Sequence, residues 1–341
     1  RNPAPGELPC YTFGGKYRDI LDVRIAPRVA RACRQQHTTL RLDDDEYLGQ
    51  YSHHVNRSIY ISDGMLSVDK ADAICFNQMA RKIAPIRITG KYGSQVLKSV
   101  FGLQDRSPDD QLIHHDFSHH LMRAKDTCSQ IKKGNEYSFR LYSEIPWWWN
   151  GFIAVESSQV SVRSPFLDNE FVRVLYKAPS RSLDYGTEFQ LALIAKYNPK
   201  LLSIPTTGTH GGSRSKVINC LLKNYFKYLM IADKIYIRER IPYSMTHWVG
   251  RLDYLLAPLH ADRLIMGFTD FRRYRVWYRD HLASYLRETL LCRKTYERPY
   301  WNKAYLEKVV QGHIKGRGTY LREIRKVLQM ELIHRVLLED L

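Results

Sequence analysis

Ile86-Arg87-Ile88-Thr89 opens directly onto Gly90-Lys91-Tyr92-Gly93-Ser94-Gln95. A short β-branched run emptying into a glycine turn and then a helical stretch is the geometry by which α/β sheets present a ligand at the C-terminal ends of their strands. The same alternation precedes it. Leu8 to Phe13 reads as a strand, a helix is expected around Asp22 to Gln35, Thr38 to Leu42 reads as a second strand, and Asp69 to Lys82 has helical spacing. This order predicts an α/β fold, an open and mostly parallel sheet with flanking crossover helices. Past Pro205 the pattern changes: Thr206 to Ser213 is turn chemistry, and nearly everything after it has helical spacing. We therefore expect an α/β region over residues 1–205 and a mainly helical region over 206–341. The last helix is the clearest, with Leu321, Ile324, Leu328 and Leu332 on one stripe after the break at Gly316-Arg317-Gly318.

The charge balance narrows the partners. Among 341 residues, 52 basic side chains against 35 acidic ones leave a net charge of +17. That excess favours an anionic partner: nucleotide, pyrophosphate, nucleic acid or a membrane surface. No apolar run approaches the ~18 residues that suggest a membrane span. Six widely scattered cysteines form no C-x-x-C pair, so the expectation is free thiols in a reducing, cytoplasmic setting. Arg1 stands where a methionine would be expected, so the chain reads as a piece of a longer polypeptide.

Arg163-Ser164-Pro165-Phe166-Leu167-Asp168 lies far downstream of the glycine turn. Taken together, the two segments resemble the synthetase half of the asparagine synthetase family. That half is an ATP-pyrophosphatase domain of the adenine nucleotide alpha-hydrolase-like (HUP) fold, whose members adenylate a carboxylate and let ammonia displace AMP. The resemblance extends to Tyr11-Thr12-Phe13-Gly14, similar to the second strand of the synthetase domain, where main-chain groups contact adenine. It continues through Asp22 to Ala30, the His37 to Leu42 strand, the Asp63-Gly64 loop and, more loosely, Pro299-Tyr300-Trp301-Asn302 to the terminal helix. It implies ATP and Mg2+ as cofactors, a carboxylate substrate, and ammonia from a glutaminase domain upstream of Arg1. Tyr11, Thr12, Phe13, Gly14, Thr89, Gly90, Tyr92, Gly93 and Ser94 are the implied cofactor-binding residues. Lys91 and Arg163 are the candidates for stabilising charge on leaving pyrophosphate.

The chain departs from the family in three places. No S-G-G-x-D-S pyrophosphate loop occurs in it; in the family that loop precedes the strand matched by Leu8 to Phe13, so it would fall before Arg1. Lys91, Ser94 and Gln95 stand where the family has acidic residues, and a lysine cannot ligate magnesium. The family's lysine after P-F-L-D has no clear match; Gln190 sits near its place, with Lys196 or Lys200 as substitutes under a shifted alignment. The expected activity is an asparagine-synthetase-like amide-forming ligase domain, divergent and inactive as this piece alone. The alternatives are an RNA- or tRNA-binding protein of pyrophosphatase fold and a degenerate, non-catalytic domain of a biosynthetic assembly.

Each remaining constellation has a structural explanation. Lys91 is read equally as a solvated turn lysine, and Arg163 as a structural arginine paired with Asp168 or Glu156. Asp168 is placed to cap the helix starting near Asn169, and Asp43-Asp44-Asp45-Glu46 to form the first turn of another. His115 and His119, four apart in His114 to His120, could share a helical face and ligate zinc, against an exposed polar helix as the simpler expectation. Trp147-Trp148-Trp149 could stack on a base or sugar, but at least one is expected in a core or interface, because three consecutive residues cannot share one face. Phe271 to Arg279 interleaves arginines with aromatic rings. It suits single-stranded RNA, or else an amphipathic helix with solvated arginines and with Phe271, Tyr274 and Tyr278 turned inward.

Overall fold

The computed structural model describes residues 4–97, 111–131, 136–177, 188–206, 216–236, 243–260 and 267–339. The turn expected at Thr206 to Ser213 falls, after Thr206, outside the described residues, as do the side chains of Ser94, Gln95 and Trp148. The chain divides into two compact units. One comprises Arg1–Tyr51, Gln190–Leu286 and Val310–Ile324; the other comprises Ser52–Phe189, Arg287–Val309 and Arg325–Leu341. These units cross the 205/206 boundary, so each draws on both sequence regions. Every described element after Pro205 is helical.

In the first unit, β1 (Cys10–Gly14) pairs in parallel with β2 (His37–Arg41), in register from Cys10 opposite His37 to Gly14 opposite Arg41. Tyr11, Thr12 and Phe13 suit β1, as Thr38 and Thr39 suit β2, and a parallel partner requires the crossover that the helix Leu21–Ala32 supplies. Leu21 of that helix packs with Phe226 and Leu229 of the helix Lys216–Tyr236. The centre of this unit is tyrosine-rich. Tyr47 and Tyr51 pair their hydroxyls with those of Tyr274 and Tyr278, at 2.7 and 2.9 Å. Paired in this way, buried phenols keep their hydrogen bonds while the rings fill the core, with Trp277 set 4.9 Å from Tyr274.

In the second unit, β3 (Ile86–Ile88) pairs in parallel with β4 (Ser161–Arg163), Ile86 opposite Ser161 and Ile88 opposite Arg163. The single open sheet expected from sequence thus appears, among the described residues, as two separate two-stranded parallel ladders. β1 and β3 each pair with a different strand. Ile86 and Ile88 are 60% and 68% exposed, although parallel strands are ordinarily covered on both faces.

Local signals in the sequence come out as expected. Asp43 accepts from the backbone N–H groups of Asp45 and Glu46 and caps the helix Asp44–Gly49. Asp168 accepts from Glu170 and Phe171 at 3.0 and 3.2 Å and caps Asn169–Lys177. Leu321, Ile324, Leu328 and Leu332 are all buried on the helix Leu321–Ile333. At Asp63-Gly64 the chain turns with positive φ at both residues, and Gln329 satisfies the loop by donating to Gly64 and Leu66 carbonyls and accepting from the Val68 N–H. Inside the second unit, buried Glu331 is held by Arg298 at 3.3 Å and Arg335 at 2.7 Å.

His313 is buried in the first unit. Its Nδ1 accepts the Tyr320 N–H at 3.1 Å, which leaves Nε2 to carry the proton toward the Arg275 carbonyl at 3.0 Å. Burial, with the nearby arginines adding to it, lowers its pKa from 6.5 to about 4. Below pH 6.5 the unfolded chain therefore takes up a proton that the folded one refuses until about pH 4. Stability is full above 6.5 and is lost progressively down to about 4, by roughly 3 kcal/mol in all. Urea unfolding measured across this range should show that decline, and His313→Gln should flatten it.

Candidate functional site

The strand ends of the second unit hold the most organised polar cluster. β3 carries Arg87 inward, and the turn that follows carries Lys91; both reach Glu156 on the helix Asn150–Ser157, which leads into β4. Arg87 Nη1 donates to Glu156 Oε1 at 2.8 Å, and Lys91 Nζ donates to Oε2 at 2.5 Å. The second guanidinium arm of Arg87 donates to Asn77 Oδ1 at 2.5 Å. Lys91 Nζ also sits 3.8 Å from the centre of the Phe152 ring. One buried carboxylate thus faces two cations, and the cluster keeps a net positive charge. Desolvation outweighs the attraction of Glu156 and, with Arg87 adding to it, brings Lys91 down to about 8.

The turn is built to hold Lys91 there. Thr89 Oγ1 accepts the Lys91 N–H at 3.3 Å, and Ser164, just past β4, donates from Oγ to the Lys91 carbonyl at 2.8 Å. The Thr89 N–H extends the ladder to the Arg163 carbonyl at 2.9 Å. Tyr92 takes φ +71°, a costly conformation for a residue with a Cβ, and its ring is buried against Trp149 at 6.0 Å. Burial, with Glu156 adding to it, pushes the Tyr92 hydroxyl up to about 12. Gly93 is required for space: a Cβ there would lie 2.9 Å from the Phe166 ring. Gly90 has open space where a Cβ would point.

The structure therefore interlocks Thr89 to Gly93 with Ser164 and Phe166, joining the two segments on which the sequence reading rests. It places Arg163 differently from Lys91. Arg163 is exposed at the end of β4 and donates to the Val162 carbonyl at 3.3 Å. Glu156, one of its two expected partners, is bonded to Arg87 and Lys91 instead. Lys91 itself is not a solvated turn lysine, its side chain being only 18% exposed.

Tyr11, Thr12, Phe13 and Gly14 lie on β1, in the first unit. Thr12 Oγ1 meets His37 Nε2 at 2.9 Å, and the rings of Tyr11 and Phe13 lie 5.7 Å apart. Past the C-terminal ends of β1 and β2 is a cleft of about 100 Å³ lined by Tyr17, Asp44, Asp45, His260, Arg273 and His281, among others. Parallel strands offer ligands a place there, although the volume is below the ~300 Å³ of ordinary small-molecule sites. Asp44 and Arg273 form a buried ion pair at 2.7 Å, with the guanidinium 4.4 Å from the Tyr17 ring centre. Burial raises the Asp44 pKa, opposed by Arg273. Sequence reasoning missed this pair, because 229 residues separate its members.

The remaining candidates resolve individually. Phe271, Tyr274 and Tyr278 turn inward as the amphipathic reading expects, but the arginines between them are not solvated. Arg272 pairs with Asp270 at 3.2 Å, Arg273 with Asp44, and Arg279 with Asp280 at 2.7 Å, while Arg275 donates to the Val249 carbonyl at 3.3 Å. Each of these arginines is thus held by a partner within the first unit. His115 lies in a 3-10 turn, His115–Phe117, ahead of the helix Ser118–Ile131, so it does not share that helix with His119. Instead Asp116 meets His114 at 3.3 Å and His115 at 2.9 Å. Among the described residues, this partly exposed trio is the group whose ligand atoms are close enough to hold a metal ion. Trp149 is packed in a core cluster while Trp147 is exposed. Gln190, Lys196 and Lys200 belong to the first unit, and Lys91 to the second.

Removing one partner of a buried charge cluster strands the others. Glu156→Gln should cost about 3 kcal/mol of unfolding free energy by leaving Arg87 and Lys91 uncompensated. Adding Lys91→Met should recover part of that loss, measured as a double-mutant cycle in denaturant. In comparisons with known proteins, no family model, no curated protein and no solved structure matches this chain.

Proposed function

We propose that this chain is the synthetase-like part of an ATP-dependent amide-forming ligase of the asparagine synthetase type, with an adenine nucleotide alpha-hydrolase-like (HUP) sheet. In this reading Lys91 and Arg163 face the pyrophosphate released when a carboxylate is adenylated. The observation that carries it is the joining of the two distant segments, Thr89 to Gly93 and Arg163 to Phe166, at the C-terminal ends of neighbouring parallel strands. That is where an α/β sheet presents ligands, and the cluster there is net positive and partly desolvated, which strengthens its attraction for an anion.

Lys91 would act as an ammonium. It donates to Glu156, which fixes its direction, and it has further donors for phosphate oxygens. Glu156 is then a positioning residue and does not touch substrate. Residues 1–341 contain no S-G-G-x-D-S sequence. ATP and magnesium would therefore lack the row of backbone N–H groups that grips phosphates in such enzymes, and this chain should favour pyrophosphate over intact ATP.

Calorimetric titration with pyrophosphate tests the reading. Binding should weaken as pH rises through about 8, where the Lys91 ammonium is lost, and Lys91→Met and Arg163→Ala should each weaken it at least about fivefold. Pyrophosphate that does not bind, or binding indifferent to both substitutions, would overturn it.

A further inference from the structure

The helix Lys216–Tyr236 is apolar on two sides. Its inward side, Leu222, Phe226 and Leu229, packs with Leu21, Ile25 and Phe268. Val217, Leu221, Tyr225, Tyr228 and Ile231 recur at spacings of three and four on the other side, and all are exposed, Val217 and Tyr228 each by 69%. A helix apolar on both sides belongs in an interior, and this one has a covering layer on one side only. Helix Tyr243–Leu256, in the same unit, shows the same inversion. Gly250 turns inward against the Gly318 backbone, where a Cβ would come within 2.6 Å, while Trp248, Leu252 and Leu255 face out, Trp248 by 78%.

The charges beside the stripe indicate what covers it. Lys223 and Lys227 are exposed on the same helix, within a sequence in which lysine recurs at 216, 223, 227 and 234. The only carboxylate in 216–236 is Asp233, which is buried and accepts the Thr269 N–H. The exposed side is thus largely apolar and aromatic, interrupted by Cys220 and Asn224, with a cationic flank and with no exposed carboxylate on the helix itself, on a chain whose net charge is +17. A second copy docked antiparallel through this side would set lysine flank against lysine flank. Nucleic acid would leave the valine, leucine and isoleucine surface without a partner. An anionic bilayer surface satisfies both features, taking rings and aliphatic side chains into the acyl boundary and lysines to the headgroups. No described helix is long and apolar enough to cross a membrane, so the helix would lie in the interface.

We infer that the outer side of the helix Lys216–Tyr236 docks on an anionic lipid surface. Flotation of the full 341-residue chain with phosphatidylcholine vesicles, with and without phosphatidylglycerol, tests this. The chain should float with the anionic vesicles only, and the association should fall with added salt. Leu221→Glu should abolish it, and Lys223→Glu with Lys227→Glu should weaken it about tenfold or more. Circular dichroism checks the fold of each variant; should Leu221→Glu misfold, the exposed lysine pair carries the test alone. Equal binding to neutral vesicles, no binding to anionic ones, or binding unchanged by the lysine reversal would overturn the inference. So would a dimer in analytical ultracentrifugation that Leu221→Glu dissociates in a chain that does not float.

Discussion

Glu156 is the charge on which the second unit's strand ends depend. It leaves a helix, crosses to the interior of β3 and meets both a strand arginine and a turn lysine. A buried carboxylate is costly unless paired and hydrogen-bonded, and so are its two cations. Each member therefore makes the burial of the others tolerable, and the helix, strand and turn are fixed relative to one another. Glu331 repeats the arrangement with Arg298 and Arg335, and Asp44 does so with a single arginine. A strongly basic chain supplies cations in excess, and its interior uses them to hold acids that water would otherwise keep at the surface.

What could be read from the sequence was local. Asp43 and Asp168 cap helices two or three residues ahead of themselves, and the terminal leucine stripe repeats within one helix, so their signals are complete inside a short window. The glycine turn was legible for the same reason. The partner of Lys91 was not, because 65 residues separate it from Glu156 and any of several acids could have served. The arginines of Phe271 to Arg279 were expected in solvent because charged side chains usually are. Their burial depends on Asp44, Asp270 and a carbonyl, which no periodicity announces. His115 and His119 have the right spacing for one helix, but the helix begins between them, at Ser118.

The lysine-flanked helix gives the opposite lesson. Its periodicity is strong on two sides at once, and a hydrophobic pattern alone says that both are to be covered without saying by what. The structure supplies the core on one side. Lys223 and Lys227, exposed beside the other, are what the proposed docking on an anionic surface rests on.

Among the described residues, β1 and β2, and β3 and β4, form ladders two strands wide, and the isoleucines of β3 lie open to water. Along the outer rim of a ladder of that width, the spacing of a next strand is already set. Parallel sheets draw much of their stability from being several strands wide and roofed by helices. An extended segment laid along such a rim would pair through its main chain. Such widening, more than any change of side chain, would convert these short ladders into a rigid platform.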